Sequence, residues 1–204
     1  MNKAPIAVLI SGRGSNMQAL AQACGDSTFP AYICCVISDK KEALGLLSAQ
    51  KLHIPCFAFE RKDFASKAEH EAALLKKLAE YQPQLICLAG FMRRLSADFI
   101  KHYPRRVVNI HPSLLPAFKG LNAQQQALEA GATVTGCTVH VVNEELDDGE
   151  VLSQAAVNIL KDDTAESLSQ RILQAEHKLY PETVKAYLEK INRQQEMLKK
   201  NAGR

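Results

Sequence analysis

Short apolar runs alternate with segments of helical periodicity along the first half of the chain. Apolar residues at 6–10 and 32–38 are each followed by a segment in which polar and apolar residues recur at helical spacing, the first from about Ser15 and the second from about Lys41. Alternation of this kind predicts parallel strands that are joined by crossover helices. The pattern therefore indicates an α/β fold.

The middle of the chain continues the alternation. Between residues 61 and 81 apolar residues recur every three or four positions, which predicts an amphipathic helix that ends before Pro83. Residues 85–89 and 106–110 are typical of buried strands. The apolar face of the predicted helix holds Phe64, Ala68, Ala72, Leu75 and Leu78.

The pattern changes in the last third of the chain. Two extended runs, 135–142 and 150–159, flank an acidic turn at 147–149, which predicts a mixed or antiparallel edge of the sheet. A long helix is expected after Thr164, with Leu168, Ile172, Ala175 and Leu179 on its apolar stripe, and Pro181 is expected to break or kink it.

These elements predict a single domain with a Rossmann-like, mostly parallel sheet and flanking helices. We expect the domain to span residues 1–190, and residues 191–204 to form the end of a helix and a basic tail.

Composition excludes several classes of protein. With 47% hydrophobic and 23% charged residues the chain has the balance of a globular domain, and its net charge of +3 is too small and dispersed to predict nucleic-acid binding. Its longest apolar stretches fall far short of the ~20 residues that cross a bilayer. The first residues enter a predicted strand with no signal-peptide pattern, so we expect a cytoplasmic protein.

The six cysteines carry no signal of a disulfide or metal site. They are scattered among apolar neighbours without paired C-x-x-C spacing, so buried free thiols are expected. No other cluster has the spacing of metal ligands, and no metal is predicted.

A glycine-rich loop, Ser-Gly-Arg-Gly-Ser-Asn at 11–16, joins the first strand to the first helix. Backbone N–H groups and the positive end of the helix dipole favour an anion at such a position. The loop lacks the third glycine of a dinucleotide fingerprint and the Gly-Lys-Ser/Thr of a P-loop, so it suits a single phosphate group. The alternative is a tight turn in which Ser15 or Asn16 only caps the helix.

Asn109 and His111 lie at the end of an apolar strand, on the same face because strand side chains alternate. Polar groups at the carboxyl end of a strand face the ligand crevice in open α/β sheets. Asp147 is a candidate to orient the histidine. An imidazolium and an amide that both donate to an oxyanion support acyl transfer to an amine, without a nucleophilic serine or cysteine. The alternatives are a structural histidine and a merely acidic turn.

Several segments together resemble the phosphoribosylglycinamide formyltransferases. They are residues 11–16, 88–95 (Leu-Ala-Gly-Phe-Met-Arg-Arg-Leu), 109–116 (Asn-Ile-His-Pro-Ser-Leu-Leu-Pro), 136–140 and 144–149, and the likeness runs from about Ile6 to Tyr187. The resemblance implies transfer of the formyl group of 10-formyltetrahydrofolate to the amino group of 5-phosphoribosylglycinamide in purine synthesis. It implies small-molecule substrates, formyl-folate as cosubstrate, and a monomer or homodimer.

The resemblance also implies a role for individual residues. Asn109 and His111 would stabilise the tetrahedral oxyanion, with His111 as proton donor, and Asp147 would favour the imidazolium and help to move the proton. The residues that would bind the ribotide are Gly14, Ser15, Asn16, Leu173, Gln174, Ala175 and Glu176. The residues that would bind folate are Lys67, Met92, Arg93, Arg94, Leu95, Asn109, Asn143, Glu144, Glu145, Leu146 and Asp147.

Three positions depart from the pattern of the family. Lys67 stands where relatives often carry arginine. Lysine keeps the positive charge but loses the bidentate contact that arginine forms with a carboxylate. Asn122 stands where many have histidine, and Lys119 in place of a proline is expected to loosen its loop. The competing functions are a formyltetrahydrofolate hydrolase, a methionyl-tRNA formyltransferase and a non-catalytic phosphate-binding module.

Overall fold

A computed structural model describes residues 3–202, apart from the side chains of 195, 198, 199, 201 and 202. Within these residues the chain forms seven strands and six α-helices, and a short 3-10 helix at Arg61–Asp63. The strands are β1 (Ala4–Ile10), β2 (Ala31–Ser38), β3 (Cys56–Ala58), β4 (Leu85–Leu88), β5 (Val107–His111), β6 (Val134–Val141) and β7 (Val151–Asn158). The helices are α1 (Ser15–Gly25), α2 (Leu44–Lys51), α3 (Lys67–Tyr81), α4 (Ala97–His102), α5 (Ala123–Glu129) and α6 (Ala165–Ala202).

All seven strands belong to one sheet with the order β3-β2-β1-β4-β5-β6-β7. The first five strands are parallel, and β6 and β7 are antiparallel to their neighbours, which confirms the predicted fold class. The strand order reverses between β1 and β4. In open α/β sheets this switch point opens a crevice at the carboxyl ends of the strands, where the glycine loop and the end of β5 both lie.

Helix α6 is anchored to the centre of the sheet. The Tyr180 side chain is fully buried, and its hydroxyl donates to the carbonyl oxygens of Leu88 (3.0 Å) and Val108 (3.2 Å). These bonds connect α6 to both β4 and β5, where burial would otherwise leave the hydroxyl unpaired. The anchor places one face of α6 over the crevice.

Pro181 does not break α6, so the prediction of a break is wrong. The helix is continuous from Ala165 to Ala202 although proline removes one backbone N–H. Tyr180, Val184 and Leu188 are buried against the sheet on both sides of the proline, and this packing favours helical backbone throughout. Residues 199–202 of the expected basic tail are also helical, while 203–204 lie outside the described residues.

The buried face of α3 differs from the predicted one. The helix begins at Lys67, capped by Ser66, so Phe64 precedes it, and Ala68 and Ala72 are exposed. Its buried residues are His70, Glu71, Leu74 and Leu78. His70 pairs with the Phe59 carbonyl (2.8 Å) and Glu71 accepts a bond from the Ser96 backbone N–H (2.9 Å), which makes their burial possible.

Candidate functional site

The glycine loop has a backbone that only glycine adopts easily. Gly14 has a φ of +72°, and a Cβ atom added there would lie 2.7 Å from the Gly45 Cα atom. Gly14 is the N-cap residue of α1, and no side chain caps the helix with a hydrogen bond. Neither Ser15 nor Asn16 therefore acts as the N-cap. The close approach of two backbones and the helix start are features that suit an anion.

Asn16 connects this loop to α6. Its Nδ2 atom donates to Glu176 Oε2 (2.7 Å), and its Oδ1 atom is buried without a hydrogen-bond partner among the described residues. Glu176 is only 6% exposed. Burial raises the pKa of the Glu176 carboxyl to about 7, although the bond from Asn16 opposes that shift. The pair therefore offers a ligand one free acceptor and a carboxyl group that titrates near neutral pH.

A cavity of about 360 Å³ lies between the glycine loop and α6, and we call it the glycine-loop cavity. Ser11–Asn16 line one side of it, and Leu173 and Glu176 line the other. Gln174 and Ala175 instead line a separate groove with β7, because successive residues of a helix point in different directions. The structure thus brings together five of the seven predicted ribotide residues: Gly14, Ser15, Asn16, Leu173 and Glu176.

Among the residues of the glycine-loop cavity that the sequence analysis missed, two are polar and lie outside every segment singled out there, Ser169 and Gln124. Ser169 precedes Leu173 by one helical turn and lines the same cavity, so the spacing of α6 could have revealed it. Gln124 reaches the cavity from α5. Nothing in the local sequence distinguishes Gln124 from the two glutamines that follow it.

The three predicted catalytic residues lie close together. His111 Nδ1 is 3.4 Å from Asp147 Oδ2, while His111 Nε2 lies 2.9 Å from the Phe118 carbonyl oxygen. Nε2–H donates to that carbonyl, so Nδ1 is the nitrogen that faces the carboxylate. The histidine ring is buried, and Ile110 and Pro112 on either side of it line the glycine-loop cavity.

A fourth residue, His140, completes this cluster and was not assigned a role from the sequence. It lies opposite Asn109 in the β5–β6 pairing, with its Nε2 atom 3.2 Å from Asn109 Nδ2 and 3.7 Å from Asp147 Oδ1. Burial lowers the pKa of His140, which favours the neutral ring. Because Nδ1–H donates to the Val141 carbonyl (3.1 Å), Nε2 accepts from the Asn109 amide and orients it.

Two loops enclose the cluster, and we call them the 112–122 loop and the 142–150 loop. The Gly120 backbone N–H donates to Asp147 Oδ2 (2.9 Å), and the Lys119 ammonium forms an ion pair with Asp148. The Lys119 side chain thus joins the two loops, a contact that the expectation of a looser loop did not include. Asn122 ends the first loop as the cap of α5, with a φ of 58°.

A second cavity, of about 320 Å³, contains the first group of predicted folate residues. Lys67, Met92, Arg93, Arg94 and Leu95 line it together with Arg61. The buried Asp39 carboxylate accepts a bond from Arg93 Nε (2.7 Å), which fixes the orientation of that guanidinium. The lining also includes the carboxylate of Glu71, 3.6 Å from the Lys67 ammonium, and the remaining excess of positive charge suits an anionic ligand. We call it the arginine cavity.

The two cavities and the catalytic cluster are neighbours. Met92 lines both the glycine-loop cavity and the arginine cavity. Arg94 donates to the Glu144 carbonyl, which brings the predicted folate residues Asn143–Asp147 beside the first group. A ligand with an anionic tail and a second ligand with a phosphate could therefore meet next to Asn109 and His111.

A family model described as formyl transferase matches residues 4–184. The chain belongs to the formyl transferase family.

All six cysteines of this family member are free thiols, and none of its helices within residues 3–202 is long and apolar enough to cross a bilayer. The same residues bring no three histidine, cysteine, aspartate or glutamate side chains together as metal ligands.

Relatives of this chain are similar to it over most of its length. The phosphoribosylglycinamide formyltransferase of Haemophilus influenzae is 43% identical over 90% of the chain and 87% of the relative. A trifunctional purine biosynthetic protein of Bos taurus is 47% identical over 88% of the chain, which spans only 18% of that relative. The crystal structure of phosphoribosylglycinamide formyltransferase from Brucella melitensis has a TM-score of 0.88 and 51% identity, covering 91% of this chain and 96% of the other.

Proposed function

We propose that this protein transfers the formyl group of 10-formyltetrahydrofolate to the amino group of 5-phosphoribosylglycinamide, giving formylglycinamide ribonucleotide and tetrahydrofolate. The observation that carries the proposal is the cluster of Asn109, His111 and Asp147 beside a phosphate-sized glycine loop. The names of the similar proteins support the same reaction. A cytoplasmic location and a monomeric or homodimeric state are parts of the proposal that come from the sequence.

The glycine-loop cavity suits the ribotide. The uncapped first N–H groups of α1 would bind its phosphate, aided by the backbone of Gly14 and Ser15. Asn16 Oδ1 and Glu176 would accept hydrogen bonds from its sugar hydroxyls. The predicted contacts of Gln174 and Ala175 are a weaker part of the proposal because both line the other groove.

The arginine cavity suits the formyl donor. Arg93, held by Asp39, would bind a carboxylate of the donor, and Lys67 would supply a second cation at the mouth of the cavity. Leu95 and Met92 would pack against its aromatic part. The 142–150 loop, through Asn143–Asp147, would cover the pterin.

The cluster then serves a direct transfer. The amine of the ribotide forms a C–N bond to the formyl carbon, and the oxygen of the tetrahedral intermediate accepts hydrogen bonds from the Asn109 amide and from His111 Nδ1–H, because His111 Nε2–H already donates to the Phe118 carbonyl. Asp147 Oδ2 lies 3.4 Å from His111 Nδ1, where the carboxylate orients the ring. The bond to the folate nitrogen breaks, and the proton that the amine loses reaches that nitrogen through His111 and Asp147.

The test is a steady-state assay of tetrahydrofolate release with both substrates. We expect release only when the ribotide is present, and a loss of about 10²-fold or more in kcat for His111→Ala because general acid and oxyanion stabilisation are lost. His102→Ala, an exposed histidine of α4, is the matched control.

Two of the competing functions, the hydrolase and the binding module, have their own outcome in this assay. Formate that appears without ribotide would indicate a hydrolase. No turnover with both substrates would reject the proposal and favour a binding module. Full activity of the His111→Ala variant would contradict the role given to His111 in the transfer.

A further inference from the structure

The contacts between the 112–122 loop and the 142–150 loop converge on His111. The first loop supplies the Phe118 carbonyl that accepts from Nε2, and the second supplies the Asp147 carboxylate next to Nδ1. The orientation of the ring therefore depends on how the two loops are placed relative to each other. A shift of about 1 Å in such a catalytic geometry is enough to reduce the rate strongly.

Both loops have backbone conformations that need support from outside. Phe118 has a φ of 54° and Asp147 a φ of 48°, in the left-handed region that side chains other than glycine rarely adopt. Such residues keep their conformation only where the surrounding contacts enforce it. The contacts that enforce it here therefore matter for the position of both groups that touch His111.

The residue next to each of these positions forms an ion pair across the loops. Lys119 follows Phe118 and Asp148 follows Asp147, and the Lys119 ammonium donates a hydrogen bond to the Asp148 carboxylate. This bond holds the pKa of the Asp148 carboxyl below its usual range. The Gly120 backbone N–H donates to the Asp147 carboxylate immediately alongside. Lys119 and Asp148 are absent from the lining of both cavities, so neither is placed as a substrate contact.

We infer that Lys119 and Asp148 are positioning residues, whose ion pair holds Phe118 and Asp147 at the distances at which they orient the His111 ring. The inference rests on the proposed function, since it assigns Asp147 and His111 to the transfer. It accounts for a lysine at a position where the resemblance suggested a looser loop. Neither residue forms or breaks a bond in the reaction.

The first test removes and then reverses the charges. We expect Lys119→Ala and Asp148→Ala each to lower kcat by about two- to fivefold, the size of effect that an exposed ion pair supplies, with little change in KM. Lys119→Asp should be worse than Lys119→Ala because it repels Asp148. The double variant Lys119→Asp/Asp148→Lys should recover activity to within about twofold of the wild type.

A matched control separates this effect from the general loss of a surface charge. Lys101 and Asp98 form an exposed ion pair on α4, outside both cavities, and Lys101→Ala should retain wild-type kcat. Raising the salt concentration should lower the activity of the wild type toward that of Lys119→Ala, since salt screens exposed charges. The Lys119→Ala variant should respond less.

The decisive measurement is the effect of Lys119→Ala in an Asp147→Asn background. If the ion pair acts on His111 largely through the Asp147 carboxylate, Lys119→Ala should lower kcat less there than in the wild type, and the effect that remains is the part that acts through Phe118. Equal effects in both backgrounds would overturn the inference, and so would an unchanged kcat of Lys119→Ala or a failure of the charge exchange to restore activity. Full activity of Asp147→Asn alone would instead count against the proposed function.

Discussion

Replacing Glu176 by glutamine tests whether a buried carboxyl group controls the pH dependence of stability. The substitution keeps the size of the side chain and an oxygen that accepts the bond from Asn16, but removes the titrating group. Its effect should therefore come from the charge alone.

The pKa of Glu176 sets the size and direction of this effect. The ordinary value is 4.5 and burial raises the pKa in the folded protein to about 7. The folded state therefore binds the proton more tightly than the unfolded state, and stability falls as the pH rises from about 4.5 to about 7. At about 1.4 kcal/mol for each pH unit, the ionised carboxylate costs about 3 kcal/mol of unfolding free energy above pH 8.

The assay is urea unfolding at several pH values between 5 and 8.5. We expect Glu176→Gln to match the wild type within about 1 kcal/mol at pH 5 and to be more stable by about 2–3 kcal/mol at pH 8.5. Glu182→Gln, at an exposed position of the same helix, should show no pH-dependent difference. A difference between wild type and Glu176→Gln that stays constant across the pH range would refute the reasoning, because Glu176 would then be ionised throughout.

Two further substitutions test the glycine loop and the anchor of α6. Gly14→Ala should lower stability by about 1–3 kcal/mol and weaken ribotide binding, because the new Cβ meets the Gly45 backbone at a positive φ. The control is Gly12→Ala, where an added Cβ has no atom within 4 Å, and this variant should keep wild-type stability. Equal stability of both variants in thermal unfolding would contradict the prediction. Tyr180→Phe should cost about 1–2 kcal/mol because two buried strand carbonyls lose their donor, measured by urea unfolding, and wild-type stability would argue against the anchor.

Local patterns were sufficient for most of the strands and for the central site. The buried strands β1 and β4 follow from uninterrupted apolar runs, since a strand that is covered on both faces needs apolar residues at every position, and β5 follows from an apolar run that contains Asn109 and ends at His111. Asn109 and His111 were found because two polar residues at the end of such a run stand out against their surroundings. The glycine loop stood out for the same reason.

The sequence analysis predicted less well which face of each helix is buried and where the helix ends. The apolar pattern of α3 indicated a face that is only partly the buried one: Leu78 is buried, but so are His70 and Glu71, which have hydrogen-bond partners outside the helix. Pro181 was expected to interrupt α6 because the sequence shows that proline removes a backbone hydrogen bond from the helix. The sequence does not show the packing of Tyr180 and its neighbours, which stabilises the helix. The opposite directions of Gln174 and Glu176 likewise depend on what α6 packs against.

The chain alone determined which residue types stand at the ends of its strands, and hence the kind of chemistry that is available. Only the tertiary structure decided which of them meet. His140 lies beside Asn109 because β6 pairs with β5 in one register. Lys119 contacts Asp148, 29 residues further along the chain, because the folded chain brings their two loops together. A hydrogen bond or an ion pair acts over a few ångströms, so its partner is set by the folded path of the chain and not by the residues next to it.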